Sequence, residues 1–475
     1  MKQNNNVVEN KNTKAVKAGL WYTVSNIAVK AIMIITTPIF TRMMTTSDYG
    51  LANTFTSWYN LLLVISSLNL AYSVGRAKLD FKDQLEEYVG SLQVLSILFT
   101  LVMGAVMCVF IEPVATFMEL NKPLVILLIL YLLAEPAIYF TRTKFRYQYR
   151  YKGNIAIAAY TTIGVVVVTL FFMLFFKTDR YYARVLGSVL PAVLLSIVFW
   201  ILSIKKKTIM VNFRYWKYGL EISVPLILHS ISLNVLSQSD RIMITKYCGA
   251  DYSGIYGLAY SYAILINIIL GSINEAWLPW FHDSYYAEET DAIRKKVKPL
   301  ILFGGMLGIG SIAITPEAMM ILGPSDYQAG KWVVPPIALG VVCQFIYQQY
   351  VHIELHLKKT KYISYGTVIA AILNIGLNVI FIPKYGFIAA AYTSLFCYIV
   401  LMIVHLLITR VILKVHLYDD WYMFVTSVCV SAVAVGFMLL YDKILVRYII
   451  LSLLCILFLV FNRDNIKIIL QKKKR

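Results

Sequence analysis

Charge is scarce in this chain. Only 15% of its 475 residues are Asp, Glu, Lys or Arg, where a soluble protein of this size would carry about 25%. With 59% hydrophobic residues and a mean hydropathy of +0.69, a soluble domain is excluded and the class is an all-α polytopic membrane protein. The six cysteines (Cys108, Cys248, Cys343, Cys397, Cys429, Cys455) stand apart in apolar segments. That spacing excludes a metal motif and a disulfide framework and leaves small core hydrophobes. No glycine-rich phosphate loop is present, which argues against ATP hydrolysis by this chain. Every connection is short, leaving no room for the catalytic groups of a membrane polymerase or glycosyltransferase. The polar start, Met1 to Lys17, is long for a signal peptide and no cleavage pattern follows it, so the first apolar segment is expected to remain as a helix.

Long apolar runs are abundant. Runs of about 20 residues, the length that crosses roughly 30 Å of hydrocarbon, number fourteen: near 18–40, 51–75, 89–111, 123–141, 154–176, 184–204, 219–247, 252–274, 299–322, 332–355, 362–382, 387–409, 421–441 and 445–461. The chain has 44 basic residues against 25 acids, a formal net charge of +19. With the N-terminus inside, 32 of the 44 Lys and Arg fall on the cytoplasmic side, ten fall outside, and Lys30 and Arg241 lie within spans. This asymmetry predicts both termini in the cytoplasm, in a cytoplasmic (inner) membrane. It assigns the basic excess to topology and membrane lipids, not to nucleic acid.

The stretch Pro225–Gly254 is apolar enough to enter a bilayer yet carries Asp240 and Arg241. Ser230, Asn234, Ser237 and Arg241, spaced by four, three and four, share one helix face. A polar stripe in lipid must face protein or water, so it predicts one wall of a polar cavity. The plain alternative is an Asp–Arg pair joining two helices. Neighbouring residues point about 100° apart on a helix, so Asp240 and Arg241 do not face each other. The first span carries a second stripe: Thr23, Asn26, Lys30, Thr37 and Thr41. Lys30 is too deep to snorkel comfortably and is expected to face a polar interior. Glu135 in the fourth span is similarly deep. Arg76 and Glu275 are placed at the cytoplasmic mouth, where opposite charges could close a gate. His352, Glu354 and His356 end the tenth span, where they could relay protons or simply meet headgroups.

The two halves echo each other. Ser47-Asp48-Tyr49-Gly50 matches Ala250-Asp251-Tyr252-Ser-Gly254, and Ser67-Leu-Asn69-Leu-Ala71-Tyr72 matches Ser272-Ile-Asn274-Glu-Ala276-Trp277. The matching spans run the same way, which predicts a parallel pseudo-repeat with a site between its halves. The expected parts are a six-helix lobe over 1–204, a cytoplasmic basic linker over 205–218, a second six-helix lobe over 219–410, and two additional helices with a basic tail over 411–475.

Tyr218-Gly219 with Pro225, Ser239-Asp240-Arg241, Gly254-Ile-Tyr256, and the stretch from Asn374 and Asn378 through Pro383 and Gly386 to Ala391 together resemble the Wzx-type polysaccharide flippases. These belong to the multidrug/oligosaccharidyl-lipid/polysaccharide (MOP) exporter superfamily. The resemblance runs over essentially the whole chain, and its specificity lies in the ordered combination. It implies alternating access, a cationic cavity, and an undecaprenyl-pyrophosphate-linked oligosaccharide as substrate, with polysaccharide polymerase machinery as a further partner. On this reading Lys30, Arg241, Asn26, Asn234 and Ser237 bind substrate, and Arg76, Glu275, Asp240 and Glu135 serve gating or ion coupling. No cofactor is expected; proton or sodium coupling is open. A lipid II flippase and a cation-coupled multidrug exporter are the alternatives. The exporter would need acids in the first-half cavity, where the first span instead has a lysine.

Overall fold

In a computed structural model of the protein, residues 28–461, with 21, 24 and 25, are described. Among them the ordered elements are helices, and no strand occurs. The first helix, α1, covers residues 28–43. It is followed by α2 (Thr46–Ser66), α3 (Ala71–Asp80), α4 (Leu85–Val109), α5 (Ile111–Met118), α6 (Lys122–Tyr147), α7 (Tyr151–Met173), α8 (Tyr181–Lys205) and α9 (Phe213–Cys248). Then come α10 (Ala250–Ala263), α11 (Leu265–Tyr286), α12 (Thr290–Leu322), α13 (Val334–His356), α14 (Thr360–Tyr385), α15 (Ile388–Leu407), α16 (Asp420–Leu439) and α17 (Ile444–Phe461).

Among the described residues ten helical stretches are long and apolar enough to cross a membrane, or eleven when Ser325–Trp332 and α13, bent by 45°, are counted as one span. The chain is thus a multi-pass membrane protein. Three of the fourteen expected spans differ. The first lies partly outside the described residues, and the last is the shorter α17. The second, expected over 51–75, is broken. Leu68 and Asn69 adopt left-handed backbone (φ 47° and 54°) and end α2, a conformation that costs non-glycine residues roughly 1–2 kcal/mol each. The break is held by its own bonds: the Asn69 backbone N–H donates to Ser67 Oγ at 3.3 Å, and its side-chain amide donates to Ser230 Oγ of α9 at 2.9 Å. The matching motif Ser272–Trp277 stays helical inside α11, so the sequence echo is not a structural one at this point.

Helix starts follow local chemistry. Thr45 and Asp48 form a reciprocal capping box at α2, Asn121 caps α6 with Pro123 in the first turn, and Asn212 caps α9. Each satisfies backbone N–H groups that the helix itself leaves open.

By internal packing the chain divides into two compact units, Met1–Gly254 and Ile255–Arg475. The expected linker over 205–218 is only partly a connector. Lys205 closes α8, and from Phe213 the chain is already helical and runs as one 36-residue helix to Cys248. In the first unit α9 lies along α2. The crossing near their ends is very close: a Cβ on Gly50 would sit 1.8 Å from the Ala250 carbonyl oxygen, and one on Gly254 would sit 2.1 Å from that of Thr46. Thr46 Oγ1 donates to Asp251 at 2.5 Å beside this crossing. Thr54 and Thr245 hydroxyls meet at 2.6 Å one step inward.

In the second unit α11, α12, α13 and α16 share one core built on Phe281, Ile312, Phe345 and Phe437. Two ion pairs bind α12 to the last two helices. Lys298 donates to Asp419 at 2.7 Å, and Glu317 accepts from the buried Arg447 of α17. At 1.5 Å per residue the two staples lie roughly 28 Å apart along α12, about one hydrocarbon thickness.

Candidate functional site: a paired-arginine cluster in the first unit

The stripe on α9 is real and bonded to itself. Asn234 Nδ2 donates to the Ser230 carbonyl (2.9 Å), Ser237 Oγ to the Asn234 carbonyl (3.1 Å), and Arg241 Nη1 to the Ser237 carbonyl (3.1 Å) and to Gln238 Oε1 (3.0 Å). Gln238 is held in turn by Ser57 of α2. This ladder meets the hydrogen-bond needs of polar side chains in an apolar environment. Asp240 is buried beside it. Arg241 is half-buried.

A second arginine, Arg184, stands near the start of α8, which packs on α2. Arg184 packs over the Phe40 ring at 4.5 Å, and its buried Nη1 has no hydrogen-bond partner among the described residues. Guanidiniums are planar, charge-assisted donors suited to phosphate oxygens.

Glu135, a half-buried acid, lies on α6, which packs on α2. The Tyr59 ring of α2 and the Tyr131 ring of α6 stack at 3.9 Å with 9° between planes.

The structure thus brings Arg241, Asn234, Ser237, Asp240 and Glu135 into the first unit. The reading of the sequence missed Arg184, Tyr59 and Tyr131. Arg184 opens the expected span 184–204, where it passes for an outer topology charge, and single tyrosines do not stand out among 34. Lys30 is exposed on α1, and Asn26 lies outside the described residues. Arg76 is exposed and pairs with Asp80 at 3.5 Å, which also accepts from Tyr218 at 2.5 Å. Glu275 is exposed on α11 in the second unit. All six cysteines are free, and no group of three metal-ligating side chains occurs among the described residues.

Three kinds of likeness bear on this arrangement. A Haemophilus influenzae protein of the Lsg locus is 24% identical over 194 residues, which is 39% of this chain and 45% of that protein. The match therefore spans less than half of that relative's length. Among solved structures, the lipid II flippase MurJ in its inward closed conformation superposes with a TM-score of 0.65 at 14% identity, over 94% of this chain and 100% of that one. An inward-facing multidrug resistance MATE family transporter of the MOP superfamily gives 0.60 at 13% identity, over 82% and 98%. A MOP superfamily transporter from Pyrococcus furiosus, whose binding pocket is described as of reversed polarity, gives 0.53 at 13%, over 84% and 95%. These likenesses give the fold. Residues 15–285 match the family model described as polysaccharide biosynthesis protein, and the chain belongs to that family.

Proposed function

We propose that this protein is a flippase that carries an undecaprenyl-pyrophosphate-linked oligosaccharide across the cytoplasmic membrane during synthesis of a cell-surface polysaccharide. The observation that carries this reading is the half-buried Arg184, whose Nη1 has no hydrogen-bond partner among the described residues, together with Arg241 on the polar stripe of α9, both inside the region matched by the family model. A pyrophosphate–sugar head cannot cross hydrocarbon unaided, because each unpaired polar group costs several kcal/mol there. Two guanidiniums supply charge-assisted bonds to the pyrophosphate, and the Asn, Ser and Tyr groups around them meet sugar hydroxyls. The lipid tail stays in the bilayer. Lys30, exposed on α1, adds a third cation for the head. Polymerisation on the far side would draw the reaction forward, which makes a polysaccharide polymerase the natural functional partner.

The test is genetic and biochemical together. Deleting the gene should make lipid-linked repeat units accumulate on the inner leaflet, and the wild-type chain, but not an Arg184→Ala, Arg241→Ala double variant, should clear them. If the purified chain in vesicles flips lipid II and leaves undecaprenyl-pyrophosphate oligosaccharide unmoved, the substrate assignment is wrong.

A further inference from the structure

The second unit holds a buried acid–base pair for which flipping by the arginine cluster has no use. Glu354, near the end of α13, and His405, near the end of α15, meet with Oε1 and Nδ1 2.8 Å apart, and both side chains are 0% exposed. Buried ion pairs repay their desolvation only when the remaining lone pairs and protons are also satisfied. Here they are not. Glu354 Oε2 and His405 Nε2 have no hydrogen-bond partner among the described residues. The site is nonetheless shaped around the ring. Tyr347 stacks on the imidazole at 5.4 Å and 16°. On the other side α14 presents Gly366, where a Cβ would lie 3.0 Å from Nε2. Three residues after His405 the helix passes into a π turn at Ile408–Ile412, a distortion found frequently at functional sites.

The charges around the pair are engaged elsewhere. On α11, His282 meets His356 at 3.0 Å. On α12, Lys298 holds Asp419, and Arg294 donates to the carbonyls of Leu417 and His416. On α16, Asp420 takes Arg410 of the π turn and the Tyr350 hydroxyl. In the 3-10 turn before α13, Lys331 reaches Asp442, and Asp326 accepts from Ser325. Lys359 and Lys361, at the start of α14, are exposed. His352, buried on α13 itself, packs by its ring on Phe281, and its Nδ1 is open among the described residues.

We propose that Glu354–His405 is a proton-binding site of the second unit, with His405 Nε2 as the atom that takes the proton. With Nδ1–H donated to the carboxylate and Nε2 bare, the pair carries one negative charge. Adding a proton at Nε2 makes an imidazolium–carboxylate pair of zero net charge. A neutral pair tolerates a dry surrounding far better than a charged one. Proton occupancy therefore favours the conformation in which this region is closed to water, and proton loss favours one in which water reaches it. Glu354 lies within one turn of the helix end, and its carbonyl accepts from the Lys359 N–H at 2.8 Å across the 357–359 connection. The proton has only that short distance to travel from the aqueous edge. The use of this proton to drive transport rests on the flippase reading; its binding does not.

The experiment has two arms. In the first, the full chain in lipid nanodiscs is titrated with acid and followed by infrared difference spectroscopy. Wild type should show imidazole protonation coupled to a carboxylate band. His405→Gln should abolish it, Glu354→Gln should remove the coupled carboxylate band, and His416→Gln, on an exposed histidine, should leave the signal in place. Melting curves at neutral pH confirm that each variant is folded, and Glu354→Gln, nearly isosteric, serves if His405→Gln is not. The same coupled signal in either pair variant as in wild type overturns the site. In the second arm, vesicles loaded with undecaprenyl-pyrophosphate oligosaccharide are given a proton gradient. Wild type should build a gradient-dependent asymmetry that His405→Gln loses while still equilibrating the lipid. Gradient-insensitive flipping by wild type overturns the coupling. No flipping by any version overturns the flippase reading and leaves the first arm to decide proton binding.

Discussion

Arg241 and Arg184 are expected to act as a pair, because one ligand with two phosphates can engage both. Removing either leaves half of the contact, and a charge-assisted hydrogen bond is worth about 1.5–3 kcal/mol. Arg184→Ala and Arg241→Ala should each lower flipping of the lipid-linked oligosaccharide by at least about tenfold, 1.4 kcal/mol, with membrane abundance largely retained. Lysine at either position keeps the charge but loses the planar fork, so recovery should be partial. Lys30→Ala is expected to act in the same direction, and Lys30→Arg to retain part of the rate; transport that is unchanged in Lys30→Ala removes it from the substrate path. The first arginine was legible because a charge in the middle of an apolar run has to be explained. The second was hidden by its position at a run's edge, where charges are common. Glu135 was legible by depth, whereas the Tyr59–Tyr131 stack became visible only once α2 and α6 were placed side by side. Asp419 makes a separate residue-scale prediction. The hydrogen bond from Lys298, with the Tyr422 N–H it caps, holds its carboxyl below the usual carboxylate range. A lowered folded value means that the stabilisation is present above the unfolded value near 4 and is lost as pH falls through the folded one. The pair is over a third exposed, so the effect is at most about 1 kcal/mol. Asp419→Asn keeps the cap and should flatten the acid end of the melting profile below about pH 4; an unchanged acid limb would remove Lys298–Asp419 from the second unit's stability.

At the scale of elements, the Gly50–Gly254 crossing decides how closely α2 approaches the junction of α9 and α10. Each glycine faces the backbone of the opposing segment, and no flexible side chain is available to yield. Gly50→Ala should therefore destabilise the protein by about 1–3 kcal/mol, the usual cost of overpacking. Gly271→Ala is the contrast. A Cβ there meets nothing within 4 Å, and in the interior of α11 alanine should be neutral or stabilising by up to about 1 kcal/mol. Thermal unfolding of the two variants in one detergent checks the pair of signs; equal melting shifts would mean the crossing is not as tight as the backbone distances require. These glycines stand in the motif that appears twice in the sequence, at a place of close helix contact. The repeat did not mark the break after Ser66. Of the two residues at that break, Asn69 tolerates left-handed backbone and Leu68 does not signal it. The bond from Asn69 to Ser230 on a distant helix, together with its N–H bond to Ser67, holds the turn there.

For the molecule as a whole, hydrophobic run length located nearly every helix, since about 20 apolar residues in lipid have little option but to be helical. The division into units was less legible. The basic cluster at 205–207 suggested a boundary, yet α9 packs on α2 and belongs by contact to the first unit. Charge clusters report the side of the membrane, whereas packing decides domain membership. The side itself is a whole-molecule prediction. Thirty-two of 44 basic residues on one face place the turn at Lys205–Lys207 in the cytoplasm and the turn at Lys177 outside. Both Lys207 and Lys177 are exposed, and all six native cysteines are free and replaceable. In a cysteine-free background, Lys177→Cys should react with a membrane-impermeant maleimide in intact cells. Lys207→Cys should react only after permeabilisation, as should a cysteine placed ahead of the first span. The opposite labelling pattern would invert the protein. It would also invert the direction in which a lipid-linked head entering beside the basic face must be moved, so the same two cysteines test the orientation and the direction of the proposed transport together.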